Sequence, residues 1–162
     1  MGRAPGSTAP SRVAQAERSH EYPAQAAPAR EDVRAPSRAP VEAVRAFATA
    51  YINWTAATVT AQLQALAALS VGQARAAMTL AASETARDYE LRRGGLANRG
   101  TVEAVAPVSG RPDQYVVVTR ELTTATATDA YRGLAPAWHV ALATVTRIGA
   151  TGWALSGWQP EN

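Results

Sequence analysis

Large apolar residues recur at helical spacing between Pro40 and Leu69. They fall mostly three or four positions apart, at Val44, Phe47, Tyr51, Trp54, Val59, Leu63 and Leu66. This spacing places them on one face of an α-helix, and a proline suits its first turn because no N–H is needed there. We predict one helix over residues 40–69. Its apolar face, with Tyr51 and Trp54, is expected to pack in the core; a face that binds a partner is the alternative.

A second helix is predicted directly after the first. Ser70 and Gln73 have the spacing of a capping box, and Gly94-Gly95 matches a helix end. The many alanines between these points favour a helix and allow close packing on its neighbour. The inner face is predicted to hold Val71, Ala74, Met78, Ala81, Thr85 and Tyr89.

After Gly100 the apolar period changes from about 3.6 to about 2, as expected for β-strands. Four strands are predicted, over residues 101–108, 114–126, 137–147 and 153–159. Residues 109–113 and 149–152 are predicted turns, and residues 127–136 a loop. The short connections make the last three strands an antiparallel meander. The predicted fold class is therefore α+β, with two N-terminal helices packed on a four-stranded antiparallel sheet.

The strand pattern also divides the sheet into two faces. One face, expected to lie under the helices, carries Val116, Val118, Trp138, Val140 and Leu142. The other carries a small, apolar set with few charges, made up of Tyr115, Val117, Thr119, His139, Ala141, Ala143 and Val145. An uncovered apolar face predicts an interaction surface, so we expect protein partners and self-association through the sheet. The alternative is that sheet curvature, or the loop before the third strand, covers this face within one chain.

Residues 1–40 differ in composition from the rest of the chain. They contain almost no bulky apolar residues and six of the ten prolines, namely Pro5, Pro10, Pro23, Pro28, Pro36 and Pro40. Such a segment buries too little surface to offset its ordering entropy. We predict a disordered Ala/Pro/Arg-rich tail over residues 1–40 and a single α+β domain over residues 41–162. A tether, passive disorder and a start codon assigned upstream of the true one are three interpretations of this tail.

Composition excludes several classes of site. The chain has 162 residues and no cysteine, which rules out disulfides and thiolate zinc sites. All 16 basic residues are arginine, which we attribute to a GC-rich, actinobacterial type of codon usage, and the formal charge is only +3. Neither half of the chain forms the basic patch that nucleic acids require. There is no apolar run long enough for a membrane span and no signal-peptide core, so we expect a cytoplasmic protein or one exported by means outside this chain.

No residue stands out as catalytic or metal-binding. His139 is the one histidine of the domain, and it has no second histidine or acidic partner at a readable spacing. Asp88 and Glu90 are interpreted as solvated charges beside arginines, a general base at the mouth of an apolar pocket being the alternative. A glycosylation sequon at residues 53–55 falls inside a predicted helix and is discarded. We therefore predict no catalytic, cofactor-binding or metal-binding residues and no cofactor.

Three stretches of the sequence resemble a known family. Phe-Ala-x-x-Tyr-x-x-Trp at residues 47–54 is followed by Leu-x-x-Leu-Ser-x-Gly at residues 66–72, and residues 152–160 read Gly-Trp-Ala-Leu-Ser-Gly-Trp-Gln-Pro. These patterns resemble the TcpC-like conjugal transfer proteins of Gram-positive bacteria, within the nuclear-transport-factor-2-like superfamily. The resemblance covers residues 41–160 and consists of packing residues rather than a chemical signature.

The resemblance implies a cone-shaped fold in which two helices pack on a curved antiparallel sheet. Members of the family are non-enzymatic parts of a conjugative DNA-transfer channel, which is type IV secretion-like, and they self-associate. They usually carry an N-terminal membrane helix and an outward-facing domain, which implies association with the cell envelope. This chain departs from that pattern because its N-terminal segment is polar, so its anchoring and compartment stay open.

Two hypotheses about function follow from these observations. The first is a non-enzymatic structural or interaction domain of a conjugative transfer apparatus. The alternative is a small-molecule-binding protein, or an isomerase- or dehydratase-type enzyme, that uses the pocket of the cone. Such an enzyme needs inward-facing acidic, histidine or tyrosine pairs, whereas the inward positions predicted above are apolar, so we expect the first hypothesis and no enzyme. Nucleic-acid binding through the tail is disfavoured because four acids interrupt its arginines.

Overall fold

The computed structural model describes residues 37–150 and 152–161. Its helices are α1 (Pro40–Ile52), α2 (Val59–Ala68), α3 (Gly72–Arg87) and the short α4 (Tyr89–Gly94). Its strands are β1 (Trp54–Thr55), β2 (Leu96–Val108), β3 (Arg111–Ala125), β4 (Ala137–Ile148) and β5 (Gly152–Glu161). None of the helices in these ranges is both long and apolar enough to cross a membrane. The predicted tail falls, up to residue 36, outside the described residues, so its disorder and the boundary at residue 40 stay predictions.

The strands form one antiparallel sheet in the order β1-β2-β3-β4-β5. The α+β class and the antiparallel meander are confirmed, and the predicted loop at residues 127–136 lies between β3 and β4. The prediction of four strands is wrong, because β1 adds a fifth by pairing Trp54 with Asn98 and Thr55 with Ala97. Register shifts interrupt the pairing of β2 with β3 and of β4 with β5. Such bulges bend a strand, and the sheet curls into a half-barrel with the helices packed on it.

The single long helix predicted over residues 40–69 is wrong. Helix α1 ends at Ile52, and Asn53 turns the chain into β1. The Asn53 side chain donates to the carbonyls of Thr49, at 2.8 Å, and Gly100, at 3.1 Å, and accepts from the Gly100 N–H at 3.0 Å. Gly100 has no side chain where β2 approaches β3, since an added Cβ would lie 2.7 Å from the carbonyl oxygen of Arg120. The break is invisible in the apolar spacing because buried residues continue on both sides of it.

The second predicted helix starts differently from the prediction. Ser70 does not cap α3: it is fully buried, and its hydroxyl donates to the carbonyl of Leu66 at 2.7 Å. Gln73 does not complete a capping box either. Its side-chain amide accepts from the N–H of Trp158 at 2.8 Å and donates to the carbonyl of the same residue at 3.3 Å. The amide thus forms with β5 the pair of main-chain hydrogen bonds that a neighbouring strand would form. The spacing of Ser70 and Gln73 therefore matches a capping box without forming one.

Asp88 divides the remainder of the predicted helix into α3 and α4. Its carboxylate accepts from the N–H of Leu91 at 2.9 Å and so caps α4. Glu90 lies 4.0 Å from Arg93 in an exposed ion pair. Both acids are exposed, in agreement with their interpretation as solvated charges. Helix α4 ends at the left-handed Gly95, where the sequence predicted a stop.

The helices cover the sheet face opposite to the predicted one. Val117 and Ala143 are fully buried, whereas Trp138 is 62% and Val140 41% exposed. The core lies between the concave face of the sheet and the helices, and β3 and β4 contribute Tyr115, Val117, Thr119, Ala141, Ala143 and Val145 to it. The prediction that this set forms an uncovered interaction surface is therefore wrong. Both faces are apolar, and a period of two does not tell which of them is covered.

The predicted apolar faces of the helices are mostly confirmed. Their buried members are Val44, Phe47, Val59, Leu63, Leu66, Ala74 and Met78. The ring of Phe47 lies 6.2 Å from that of Tyr51 and 5.1 Å from that of Trp158, centre to centre. Tyr51 and Trp54 are only half-buried, at the edge of this core. Tyr89 was expected in the core, but it is 64% exposed because α4 turns away at Asp88.

Candidate functional site

A cavity of about 370 Å³ lies between the helices and the concave face of the sheet. Its apolar wall comes from the helices and β1, and consists of Ala50, Trp54, Val59, Leu63, Leu66, Ala81 and Leu91. Its polar groups come mainly from the sheet, and they are Asn98, Glu121, Thr123 and His139, with Tyr51, Gln62 and Thr85 from the helices. An apolar cavity with a few convergent polar groups is the usual form of a small-molecule site.

Glu121 is held in this wall by two buried neighbours. The hydroxyl of Thr119 donates to Oε1 at 2.5 Å, and Nδ2 of Asn98 donates to Oε2 at 2.8 Å. The strands position both donors: Thr119 lies two residues before Glu121 on β3, and Asn98 on β2 pairs with Thr123. A carboxylate oxygen accepts more than one hydrogen bond, so each oxygen of Glu121 retains acceptor capacity.

Asn98 connects this carboxylate to the end of α1. Its Nδ2 also donates to the carbonyl of Ile52 at 2.8 Å, and its Oδ1 accepts from the hydroxyl of Thr123 at 3.0 Å. The acceptors on one side and the hydroxyl donor on the other fix the orientation of the amide. A continuous chain of hydrogen bonds therefore runs from Thr123 through Asn98 to Glu121 on the concave face.

A smaller cavity of about 170 Å³ shares Tyr51, Glu121 and His139 with the larger one. Trp158 lines it, and the buried indole N–H of this residue has no hydrogen-bond partner among the described residues. Burial raises the pKa of the Tyr51 hydroxyl above its usual 10.0; the neighbouring indole of Trp158 opposes the shift, and the Glu121 carboxylate adds to it. The two cavities thus share the carboxylate of Glu121 and the phenol of Tyr51 in their walls.

His139 lies on the concave face, directly across from Thr119 on the neighbouring strand. It lines both cavities and is exposed to solvent. The sequence interpretation placed it on an uncovered face and expected only apolar residues at inward positions, and both expectations are wrong. Both errors arise because the helices were predicted to cover the other face of the sheet. In that prediction, every polar residue of the concave face lies away from the helices.

Glu121 is the candidate that sequence reasoning missed, although a signal was present. Alternate residues of β3 from 115 to 123 share one face, and Glu121 is the only charged residue among them. Thr119 and Thr123 form the hydrogen bonds that position Glu121 and Asn98. An acid on that face becomes informative only once the face is known to lie under the helices.

The convex face of the sheet is a second candidate surface. We call it the outer face and define it by Val116, Val118, Arg120, Trp138, Val140 and Leu142. Its centre is apolar, and at its edge the guanidinium of Arg120 lies 5.9 Å from the centre of the Trp138 ring. Exposed aromatic and arginine side chains next to apolar residues are typical of protein interfaces.

Within the described ranges, no three His, Asp or Glu side chains come together in a way that would hold a metal ion. Comparisons of the chain with protein-family models, curated proteins and solved structures find no match.

Proposed function

We propose that the domain binds a small organic molecule in the larger cavity. The observation that carries this proposal is the carboxylate of Glu121, held by Thr119 and Asn98 in the wall of an otherwise mostly apolar space. Hydrogen bonds and an opposite charge offset the free-energy cost of removing a charged group from water, and a ligand would add to the two hydrogen bonds that Glu121 already accepts. The order of the two functional hypotheses is thereby reversed, because polar residues, Glu121 among them, line the cavity where the sequence predicted only apolar ones.

We propose binding rather than catalysis. Acid–base or covalent chemistry needs a reactive group within hydrogen-bond reach of a base and open to the substrate. Among the described residues, the hydroxyl that bonds Glu121 is that of Thr119, which is 4% exposed. The other donor is the amide of Asn98, which is neither an acid nor a nucleophile. These partners hold a charge in place, and that supports recognition of a ligand.

Filling the cavity tests the proposal before the natural ligand is known. A panel of fragment-sized compounds, screened by NMR, should shift the indole signal of Trp54 in the cavity wall and leave that of Trp138 on the outer face unchanged. Ala81 lines the cavity, so Ala81→Leu should weaken these shifts. Ala76→Leu, at an exposed position of the same helix, is the matched control. If no compound shifts the Trp54 signal, or if Ala81→Leu changes nothing, the proposal is wrong.

A second function is favoured by a separate observation, the exposure of the apolar outer face. Trp138 and Val140 are 62% and 41% exposed there. We propose that this face pairs with a second copy of the domain. A role as a non-enzymatic component of a conjugative DNA-transfer apparatus is proposed on the resemblance of residues 41–160 to that family, whose members self-associate.

Sedimentation of the full chain at micromolar concentration tests the second function. The unmodified chain should sediment as an oligomer, and Val118→Arg, in the middle of the outer face, should convert it to a monomer. Leu134→Arg is the control, because Leu134 is a 53% exposed apolar residue in the loop between β3 and β4. A chain that stays monomeric at all concentrations, or an oligomer that withstands Val118→Arg, would exclude this interface.

A further inference from the structure

We infer that the ligand of the larger cavity is an organic cation, an apolar molecule whose protonated amine binds Glu121. The inference rests on the proposed binding function and adds the charge of the ligand. Among the described residues, Glu121 is the only Asp, Glu, Lys or Arg that lines the 370 Å³ cavity, and Glu161 is the only other one that lines the smaller cavity. Both are acidic, although the chain has a formal net charge of +3.

Neutral donors, and no cation of the described residues, hold the carboxylate of Glu121. Its hydrogen bonds within the described part of the chain come from the hydroxyl of Thr119 and the amide of Asn98, so no arginine of that part bonds to its negative charge. Attraction between opposite charges is stronger where water is partly excluded, as it is at this half-buried position. A hydrogen bond from an ammonium group to a carboxylate is also stronger than one between neutral groups.

Two aromatic rings border the same space. Tyr51 and Trp54 line the cavity together with Glu121, and the faces of such rings attract cations. The aliphatic remainder of the wall suits an apolar ligand body, and a volume of about 370 Å³ falls in the range of small-molecule pockets. The indole N–H of Trp158, which is without a hydrogen-bond partner in the described ranges, would instead prefer an acceptor, but it lines the smaller cavity.

Three probes that share one ring and differ in charge test the inference on the unmodified full chain: benzylamine, benzyl alcohol and benzoate. The indole signals of Trp54, in the cavity wall, and Trp138, on the outer face, report affinity and location together. Benzylamine should bind about tenfold more tightly than benzyl alcohol, because a charge-assisted hydrogen bond replaces a neutral one, and benzoate should bind most weakly. If benzyl alcohol or benzoate binds as tightly as benzylamine, the inference is overturned and the binding function stands. If none of the probes shifts the indole signal of Trp54, the inference and the proposed binding function are both wrong.

Glu121→Gln supplies the matched chemical test. It keeps the shape of the side chain and removes its charge, so benzylamine binding should weaken about tenfold while benzyl alcohol binding stays unchanged. Glu103→Gln is the control, since Glu103 also accepts from the threonine two residues before it, Thr101, at 2.5 Å, but is exposed and outside the cavity. A preference for benzylamine that persists in folded Glu121→Gln overturns the inference. The ranking of the probes on the unmodified chain decides the matter if this variant does not fold.

Discussion

The amide nitrogen of Asn98 donates to two acceptors in different parts of the fold, the carboxylate of Glu121 and the main-chain carbonyl of Ile52, each at 2.8 Å. Glu121 belongs to the sheet, and Ile52 is the last residue of α1. Carbonyls in the last turn of a helix lack an intrahelical donor. Asn98 therefore completes the end of α1 and orients the carboxylate of the cavity with the same group, which links the stability of the fold to the geometry of the site.

Asn98→Ala should lower the free energy of unfolding by about 1–3 kcal/mol, because it leaves the carbonyl of Ile52 and an oxygen of Glu121 without their donor in a buried setting. Unfolding in urea measures the loss. Thr123→Val removes only the bond to Oδ1 of Asn98 and should cost less, about 1 kcal/mol. A near-zero cost for Asn98→Ala would mean that water replaces the amide and that the site is open there.

Phe47→Ala should destabilise the domain more than Trp54→Ala. Phe47 is 5% exposed and its ring contacts those of Tyr51 and Trp158, so its truncation should cost about 3–5 kcal/mol. Trp54 was expected to be a core residue of one continuous helix. It is half-buried on β1 beside the cavity, so its truncation removes fewer packed contacts. Chemical denaturation of the two variants gives the comparison, and a larger loss for Trp54→Ala would contradict this account.

Replacing two neighbouring valines of β3 by arginine should lower stability by very different amounts. Val117 is fully buried under the helices, so Val117→Arg places a charge in the core and should cost more than about 4 kcal/mol or prevent folding. Val118 lies on the outer face, so Val118→Arg should cost about 1 kcal/mol or less. Circular dichroism and denaturation midpoints measure both. The reverse order of sensitivity would restore the face assignment made from the sequence.

Stability should decline as pH rises above 10, with Tyr51 as a cause. Burial holds the pKa of the Tyr51 hydroxyl above 10.0 in the folded chain, so the unfolded chain loses this proton first. The contribution of the neutral hydroxyl is complete below the unfolded pKa and is lost as the pH rises toward the folded pKa. The sequence contains no lysine and no cysteine, whose side chains would otherwise titrate in the same range.

Unfolding free energies measured from about pH 9 to about pH 11 test this alkaline decline. Tyr51→Phe should flatten it, because the buried ionisable hydroxyl is removed. Tyr89→Phe, at a 64% exposed position, should leave the decline unchanged. Identical slopes in Tyr51→Phe and the unmodified chain would show that another group is responsible.

The sequence by itself determined the extent of the helical region and the four long strands, but not the break between α1 and α2 or the short strand β1. Three- and four-residue spacing identified the buried side chains of α1 and α2, and Gly94-Gly95 marked the end of the helical region. Alternation and turn residues gave the meander of the last strands and the loop at residues 127–136. Each of these features depends on residues that are close in sequence, and for that reason a short-range period reveals it.

Only the tertiary structure decided where the first helix breaks, which sheet face is covered and where the cavity lies. Asn53 leaves the helix because Gly100, 47 residues further on, offers it hydrogen bonds. Glu121 faces the cavity because the helices pack on its side of the sheet, which also brings Asn98, 23 residues away, within 2.8 Å. The folded backbone brings such partners together, and their spacing along the chain does not reveal the contact. A period of two describes both faces of a strand equally, so the choice between them is made only when the helices pack.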